Sequence, residues 1–96
     1  MNKQDVLTYL TKHKRKLARR FGVKKIGIFG SYARETNHEL SDLDVVVELD
    51  KPDMFAIIGI KQMIEEELGV KVDIVRLRNT MNPYLKKRIE KDVFYI

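Results

Sequence analysis

Three short segments rich in β-branched residues limit most strongly how this chain can fold. They comprise residues 23–29, 42–49 and 70–77, and their length and composition are typical of β-strands. Apolar residues recur at helical spacing in the stretches around them. Because a chain that alternates helices and strands buries a sheet under helices, the sequence predicts a mixed α/β or α+β fold built around a small β-sheet.

Helical spacing predicts three helices. The first covers residues 4–21 and ends before a glycine, which suits a helix C-cap. The second covers residues 52–68, and its expected apolar face consists of Phe55, Ile58, Met63, Ile64 and Leu68. The third is short and begins after the turn at Asn82.

Length and charge limit the classes of function. With 96 residues, the chain is expected to form one domain over residues 1–96. Its net charge of +5 favours anionic partners such as nucleotides, nucleic acid or an acidic protein surface. The absence of cysteine excludes disulfides and cysteine-based zinc sites. No apolar run reaches the roughly 20 residues needed to span a bilayer, and the polar start is unlike a signal peptide, so a cytoplasmic location without membrane association is expected.

The segment Gly30-Ser31-Tyr32-Ala33-Arg34 directly follows the first predicted strand. A strand that ends in Gly-Ser and leads into a helix places backbone N–H groups and a hydroxyl where they can bind phosphate. The same pair is also common in ordinary turns, and the segment matches neither a Walker A loop nor a GxGxxG fingerprint. Taken alone, it does not distinguish a phosphate-binding turn from a structural one.

Three aspartates accompany this segment. Asp42 and Asp44 lie two residues apart, so a strand would project both carboxylates from one face. Asp73 lies in the third predicted strand and would join them if the second and third strands were neighbours. Carboxylates held so close suit a hard cation such as Mg²⁺, and three of them can hold two ions that clamp a phosphate under attack. The structural alternative is that these residues are solvated positions on the strands.

These segments, in this order, resemble the signature of the DNA-polymerase-β-like nucleotidyltransferase superfamily. The matching residues are Gly30-Ser31-Tyr32-Ala33-Arg34, then Ser41-Asp42-Leu43-Asp44, then Asp73 in VKVDIV. Over nearly all of its length, including the ending NPYLKKRIEKDVFYI, the chain is similar to the minimal nucleotidyltransferase (MNT) antitoxins of HEPN/MNT toxin–antitoxin systems. Glu35 departs from the family pattern, which often has glycine there, and this departure concerns the shape of the loop.

The resemblance implies an α/β (α+β) fold of the polymerase-β-like nucleotidyltransferase type, with a small mixed β-sheet flanked by helices. It also implies a Mg²⁺-dependent protein adenylyltransferase that is the antitoxin of a type VII pair. AMP would pass from ATP to a hydroxyl, expected to be that of a tyrosine, on a partner HEPN RNase toxin and inactivate it. The resemblance also implies a hetero-oligomer with the toxin and no direct nucleic-acid substrate. The residues that it assigns to catalysis and to the binding of two Mg²⁺ ions are Asp42, Asp44 and Asp73. Those that it assigns to ATP binding are Gly30, Ser31 and Arg34.

Two other functions stay open from the sequence. A non-catalytic antitoxin would neutralise its toxin by binding alone, and a small-molecule nucleotidyltransferase would modify a hydroxyl such as that of an aminoglycoside. The three aspartates favour the catalytic antitoxin over the first alternative, and the lack of room for a second domain disfavours the other. The basic residues 13–20 suit nucleic acid or an acidic partner, although a solvated helix face explains them as well.

Overall fold

The computed structural model describes all residues, 1–96, as five helices and four strands. The helices are Lys3–Lys12 (α1), Lys14–Phe21 (α2), Gly30–Arg34 (α3), Met54–Leu68 (α4) and Pro83–Asp92 (α5). The strands are Val23–Phe29 (β1), Leu43–Leu49 (β2), Val72–Arg76 (β3) and Phe94–Tyr95 (β4). All three predicted strands are present, and the predicted mixed α/β fold is confirmed. None of the helices has both the length and the apolar character needed to cross a membrane.

The four strands form one mixed sheet in the order β3-β2-β1-β4. Strand β1 pairs antiparallel with both β2 and β4, whereas β2 and β3 run parallel. The parallel pair requires a long crossover, which α4 provides by returning the chain to the starting end of the sheet. As a result, the end of β1 and the beginnings of β2 and β3 lie at the same end of the sheet.

Side chains and glycines mark the ends of the helices that flank the sheet. Asp53 accepts hydrogen bonds from the first backbone N–H groups of α4, and Asn82 does the same for α5. Helices α2 and α4 end at Gly22 and Gly69. The helix ends that the sequence predicts at these four positions are therefore confirmed within one or two residues.

Apolar side chains fill both faces of the sheet, but unequally. On one face, a core of 17 buried residues joins the strands to α1, α2 and α4. On the other face, a cluster of only four buried residues joins the sheet to α5 and to the loop before it. The members of this smaller cluster are Phe29, Val46, Met81 and Ile89. Helix α5 thus packs on the sheet through a limited apolar contact.

The prediction of one helix over residues 4–21 is wrong in one respect, because the structure divides it at His13. The backbone of His13 leaves helical geometry (φ −100°, ψ 8°), so α1 ends and α2 begins there. Leu10 and Leu17 on either side are fully buried, and every residue between them is polar. The bend therefore falls where the chain makes no core contact.

The apolar face expected for α4 is also partly wrong. Phe55 is 86% exposed and Ile58 is 46% exposed, whereas the predicted Met63 and Ile64 are buried, together with Ala56 and Ile60. The buried residues recur three or four positions apart, which is the stripe that meets the sheet. Because α4 carries large apolar residues on more than one side, periodicity alone does not select the buried side.

Candidate functional site

The turn after β1 is built around Gly30. Its φ of 72° lies in the left-handed region, which glycine adopts without the steric penalty that other residues incur. A side chain at this position would also collide with the Oδ2 atom of Asp44. Glycine is therefore required here for two reasons, and the backbone of the turn lies directly against a carboxylate of β2.

Gly30 and the four residues after it form α3, a short helix of little more than one turn. The backbone N–H of Thr36 donates to the carbonyl of Ser31 at 2.9 Å, which closes the turn. Glu35 ends it at φ 62°, a left-handed conformation that is uncommon outside glycine. The helix expected after the Gly-Ser pair is confirmed, and the loop keeps a glycine-like backbone at the position where Glu35 departs from the family pattern.

The three aspartates come together at the end of the sheet that carries this turn. Asp44 and Asp73 occupy paired positions on the parallel strands β2 and β3, and adjacent strands lie about 4.8 Å apart. Asp42 directly precedes β2 and is exposed, as is Asp73, whereas Asp44 is partly buried. The condition that the second and third strands are neighbours, on which the grouping of the aspartates depended, is confirmed.

The electrostatics of this site centre on Asp44. Burial raises the pKa of its carboxyl group, and the negative charges of Asp73 and, less strongly, Asp42 raise this pKa further. The positive charges of Arg88 and, less strongly, Arg34 lower it. The carboxylates are therefore close enough to repel one another, and a cation between them would relieve the repulsion.

The set of oxygen donors suits a magnesium ion. Carboxylate oxygens are ligands that Mg²⁺ prefers, and the ion commonly uses one or two carboxylates together with substrate phosphates. No group of three or more histidine, cysteine, aspartate or glutamate side chains is arranged to hold a metal ion. The residues therefore fit an ion shared between protein carboxylates and a phosphate better than an ion enclosed by protein ligands alone.

Arg34 lies at the end of α3, where the protein itself engages its guanidinium group. The Nη1 atom donates to Oδ2 of Asp92 at 2.6 Å, and the side chain of Asp92 is only 10% exposed. This ion pair joins the turn after β1 to the C-terminal end of α5. The role of Arg34 in ATP binding stays a prediction, and the structure adds a contact between two helices.

Helix α5 contributes two residues to this region that sequence reasoning missed. Asp92 holds Arg34, and the charge of Arg88 acts on Asp44. The sequence contains a pattern that could have identified them, because Arg88 and Asp92 lie four residues apart on a helix whose Ile89 is apolar. The pattern does not show which face of the sheet α5 covers, so it does not by itself place these residues near the aspartates.

Known proteins resemble this chain over nearly its whole length. Residues 10–96 match the protein family described as nucleotidyltransferase domain. A protein of Methanocaldococcus jannaschii, named as a candidate protein adenylyltransferase, is 40% identical over 93 residues, which cover 96% of this chain and 95% of the relative. The protein adenylyltransferase MntA of Thermococcus cleftensis is 34% identical over 94 residues, which cover 97% of this chain and 94% of the relative.

Solved structures extend this similarity to the fold. A structure described as a candidate minimal nucleotidyltransferase has a TM-score of 0.79 at 27% identity, with coverage of 98% of this chain and 95% of that chain. A toxin–antitoxin crystal structure with AMP-PNP contains a chain with a TM-score of 0.72 at 26% identity. The match covers 99% of this chain and 72% of that one. The mixed sheet and its flanking helices thus have the same fold as these two chains.

Proposed function

This chain belongs to the nucleotidyltransferase domain family, as a member of its minimal (MNT) type, and we propose that it is an antitoxin that transfers AMP from ATP to its partner toxin. The observation that carries the proposal is the pairing of Asp44 with Asp73 beside the Gly30 turn. Adjacent carboxylates suit the cation that accompanies a phosphate, and the turn lets the phosphate approach the backbone. The names of the relatives and the AMP-PNP in the toxin–antitoxin structure support the same reaction.

In the proposed reaction, a hydroxyl oxygen of the acceptor attacks the α-phosphorus of ATP. A new P–O bond joins AMP to the acceptor, the bond from the α-phosphorus to the bridging oxygen breaks, and pyrophosphate leaves. The hydroxyl proton passes to Asp73, whose exposed side chain on the edge strand β3 is open to an incoming acceptor. Mg²⁺ would be held by Asp42, Asp44 and Asp73 only together with the substrate phosphates, and when bound it would neutralise phosphate charge.

The other residues of the site position the nucleotide. Gly30 permits close approach of a phosphate to the backbone, and the half-buried Ser31 adds a hydroxyl donor. The ion pair of Arg34 with Asp92 holds this turn against α5. Because phosphoryl transfer requires little covalent participation of the protein, holding the reacting groups in line provides most of the catalysis.

We infer that the acceptor is a hydroxyl on a partner HEPN-domain RNase toxin and that a tyrosine supplies it. The aspartates lie beside an edge strand, where a second protein can reach them. AMP attached to the toxin would add bulk and negative charge and so inactivate it. The two-ion stoichiometry, the single domain over residues 1–96 and the cytoplasmic location stay predictions.

The experiment that tests this function uses ATP labelled in the adenine ring, MgCl₂ and the purified toxin encoded beside this chain. We expect label on the toxin with the unaltered protein and a loss of at least about 100-fold with Asp42→Asn/Asp44→Asn. Asp50→Asn is the matched control, because this exposed aspartate follows the opposite end of β2, roughly 20 Å from Asp44. Transfer that persists in the double variant would contradict the assigned role of the carboxylates.

The same reactions separate the two alternatives when they are repeated with an RNA substrate of the toxin or with an aminoglycoside. A non-catalytic antitoxin would protect RNA from the toxin without any transfer of label, and the double variant would protect it equally well. A small-molecule nucleotidyltransferase would label an added aminoglycoside and leave the toxin unlabelled. Label on the toxin that depends on Asp42 and Asp44 is the result expected only of a catalytic antitoxin.

A further inference from the structure

Helix α5 presents Arg88 and Asp92 on one side. They are four residues apart, so they lie one turn from each other along the helix. Asp92 contacts Arg34 of α3 at 2.6 Å, which shows that this side faces the turn after β1. Ile89, on the adjoining side, is buried against the sheet. Arg88 therefore lies on the same side of α5 as Asp92, the side that faces the turn carrying Gly30.

The two arginines near the turn after β1 differ in their partners. Arg34 is already engaged by Asp92, whereas Arg88 forms no ion pair with any carboxylate of the chain. The side chain of Arg88 is also exposed. It is thus an arginine next to the site whose guanidinium is free to bind a ligand.

We propose that Arg88 binds the β- and γ-phosphates of ATP, a role that rests on the proposed adenylyl transfer. The α-phosphorus must lie beside the carboxylates for the acceptor to attack it, which leaves the two outer phosphates to be neutralised elsewhere. A guanidinium group suits them, because its planar set of N–H donors matches two phosphate oxygens at once. As the bond to the bridging oxygen breaks, negative charge grows on the departing pyrophosphate, and Arg88 stabilises it.

The test measures the affinities of AMP-PNP, pyrophosphate and AMP by calorimetry in the presence of MgCl₂. Arg88→Ala should weaken AMP-PNP and pyrophosphate binding by about 10- to 100-fold, the range for a lost hydrogen bond between charged groups, and leave AMP binding unchanged. Arg88→Lys should recover part of this affinity, since it keeps the charge but not the planar donors. In the transfer assay, the KM for ATP should rise with Arg88→Ala.

Lys87→Ala is the matched control, because it removes a neighbouring exposed cation two residues from the buried Ile89, on the side of α5 that points away from the sheet. It should bind all three ligands normally. Unfolding monitored by circular dichroism should show similar stability for the Arg88 and Lys87 variants. This comparison separates a ligand contact from a structural role of α5.

Two results would contradict the role of Arg88 without contradicting the proposed adenylyl transfer. One is an unchanged AMP-PNP affinity in Arg88→Ala. The other is an equal loss of AMP affinity, which would place the residue away from the outer phosphates. A failure of the unaltered protein to bind AMP-PNP is different, because it would overturn the proposed function and this role together.

Discussion

The two faces of the sheet contribute differently to the stability of the fold and to the candidate site. On one side of the sheet, the strands and helices together form a core of 17 buried residues, whereas the cluster between the sheet and α5 has four. Asp44 and Asp73 lie on the α5 face, at the end of the sheet where the chain turns through Gly30. This difference indicates that the larger core provides most of the stability of the fold, while the less covered face leaves the carboxylates accessible to a ligand.

The largest expected effect comes from comparing the same substitution on the two faces. Ile60→Ala in the larger core should lower the free energy of unfolding by about 4 kcal/mol, and Ile89→Ala in the smaller cluster by about 2 kcal/mol. Of the two variants, only Ile89→Ala should weaken AMP-PNP binding, because it loosens the packing of α5 on the sheet and so displaces Arg88. Chemical denaturation and calorimetry measure the two effects. Equal losses of both stability and binding would contradict the division between the faces.

Gly30→Ala should have the next largest effect. The left-handed backbone alone disfavours alanine by about 1–2 kcal/mol, and the added methyl group must displace the carboxylate of Asp44. We therefore expect lower stability together with a loss of AMP-PNP affinity. Gly69→Ala is the matched control, because Gly69 has a similar φ of 68° and no atom near the added methyl group. If both variants bind AMP-PNP normally, the Gly30 turn does not form the phosphate site.

Magnesium should stabilise the protein by a smaller amount. At ten times its dissociation constant, a bound ion adds about 1.4 kcal/mol to the free energy of unfolding, and a thermal melt with added MgCl₂ measures the shift. Asp44→Asn should abolish this response, and Asp50→Asn should retain it. Without the ion, Asp44→Asn should melt no lower than the unaltered protein at neutral pH, because the raised pKa of Asp44 means that its negative charge destabilises the folded state.

The smallest effect concerns Glu35. Its left-handed backbone (φ 62°) disfavours a side chain, whereas glycine gains freedom in the unfolded chain, so Glu35→Gly should stabilise the fold by only about 0.5 kcal/mol. Denaturant unfolding measures the change. A loss of stability would show that the Glu35 side chain makes a compensating contact.

Much of the fold could be predicted from local patterns. The β-branched runs identify β1, β2 and β3, and the residues at Asp53, Gly69 and Asn82 mark helix ends because caps act on their own helix. The break at His13 and the exposure of Phe55 could not be predicted in this way. Both depend on which sides of the helices meet the sheet, and periodicity does not fix that choice where apolar residues are interrupted or too numerous.

The candidate site shows the same limit. The resemblance assigned Asp42, Asp44 and Asp73, but only the register of β2 with β3 places Asp44 beside Asp73. Nothing local in the sequence couples Arg34 to Asp92, which are 58 residues apart. Contacts between distant residues depend on the topology of the sheet, so the part of the site that α5 contributes emerged only from the structure.

Adenylyl transfer by this protein can be distinguished from phosphoryl transfer by which phosphate group of ATP reaches the toxin. Two parallel reactions with the partner toxin and MgCl₂ would use ATP labelled on the α-phosphate in one and on the γ-phosphate in the other. If AMP is transferred, we expect label on the toxin only from α-labelled ATP, with the γ label recovered in pyrophosphate. Label on the toxin from γ-labelled ATP, or from neither, would contradict adenylyl transfer.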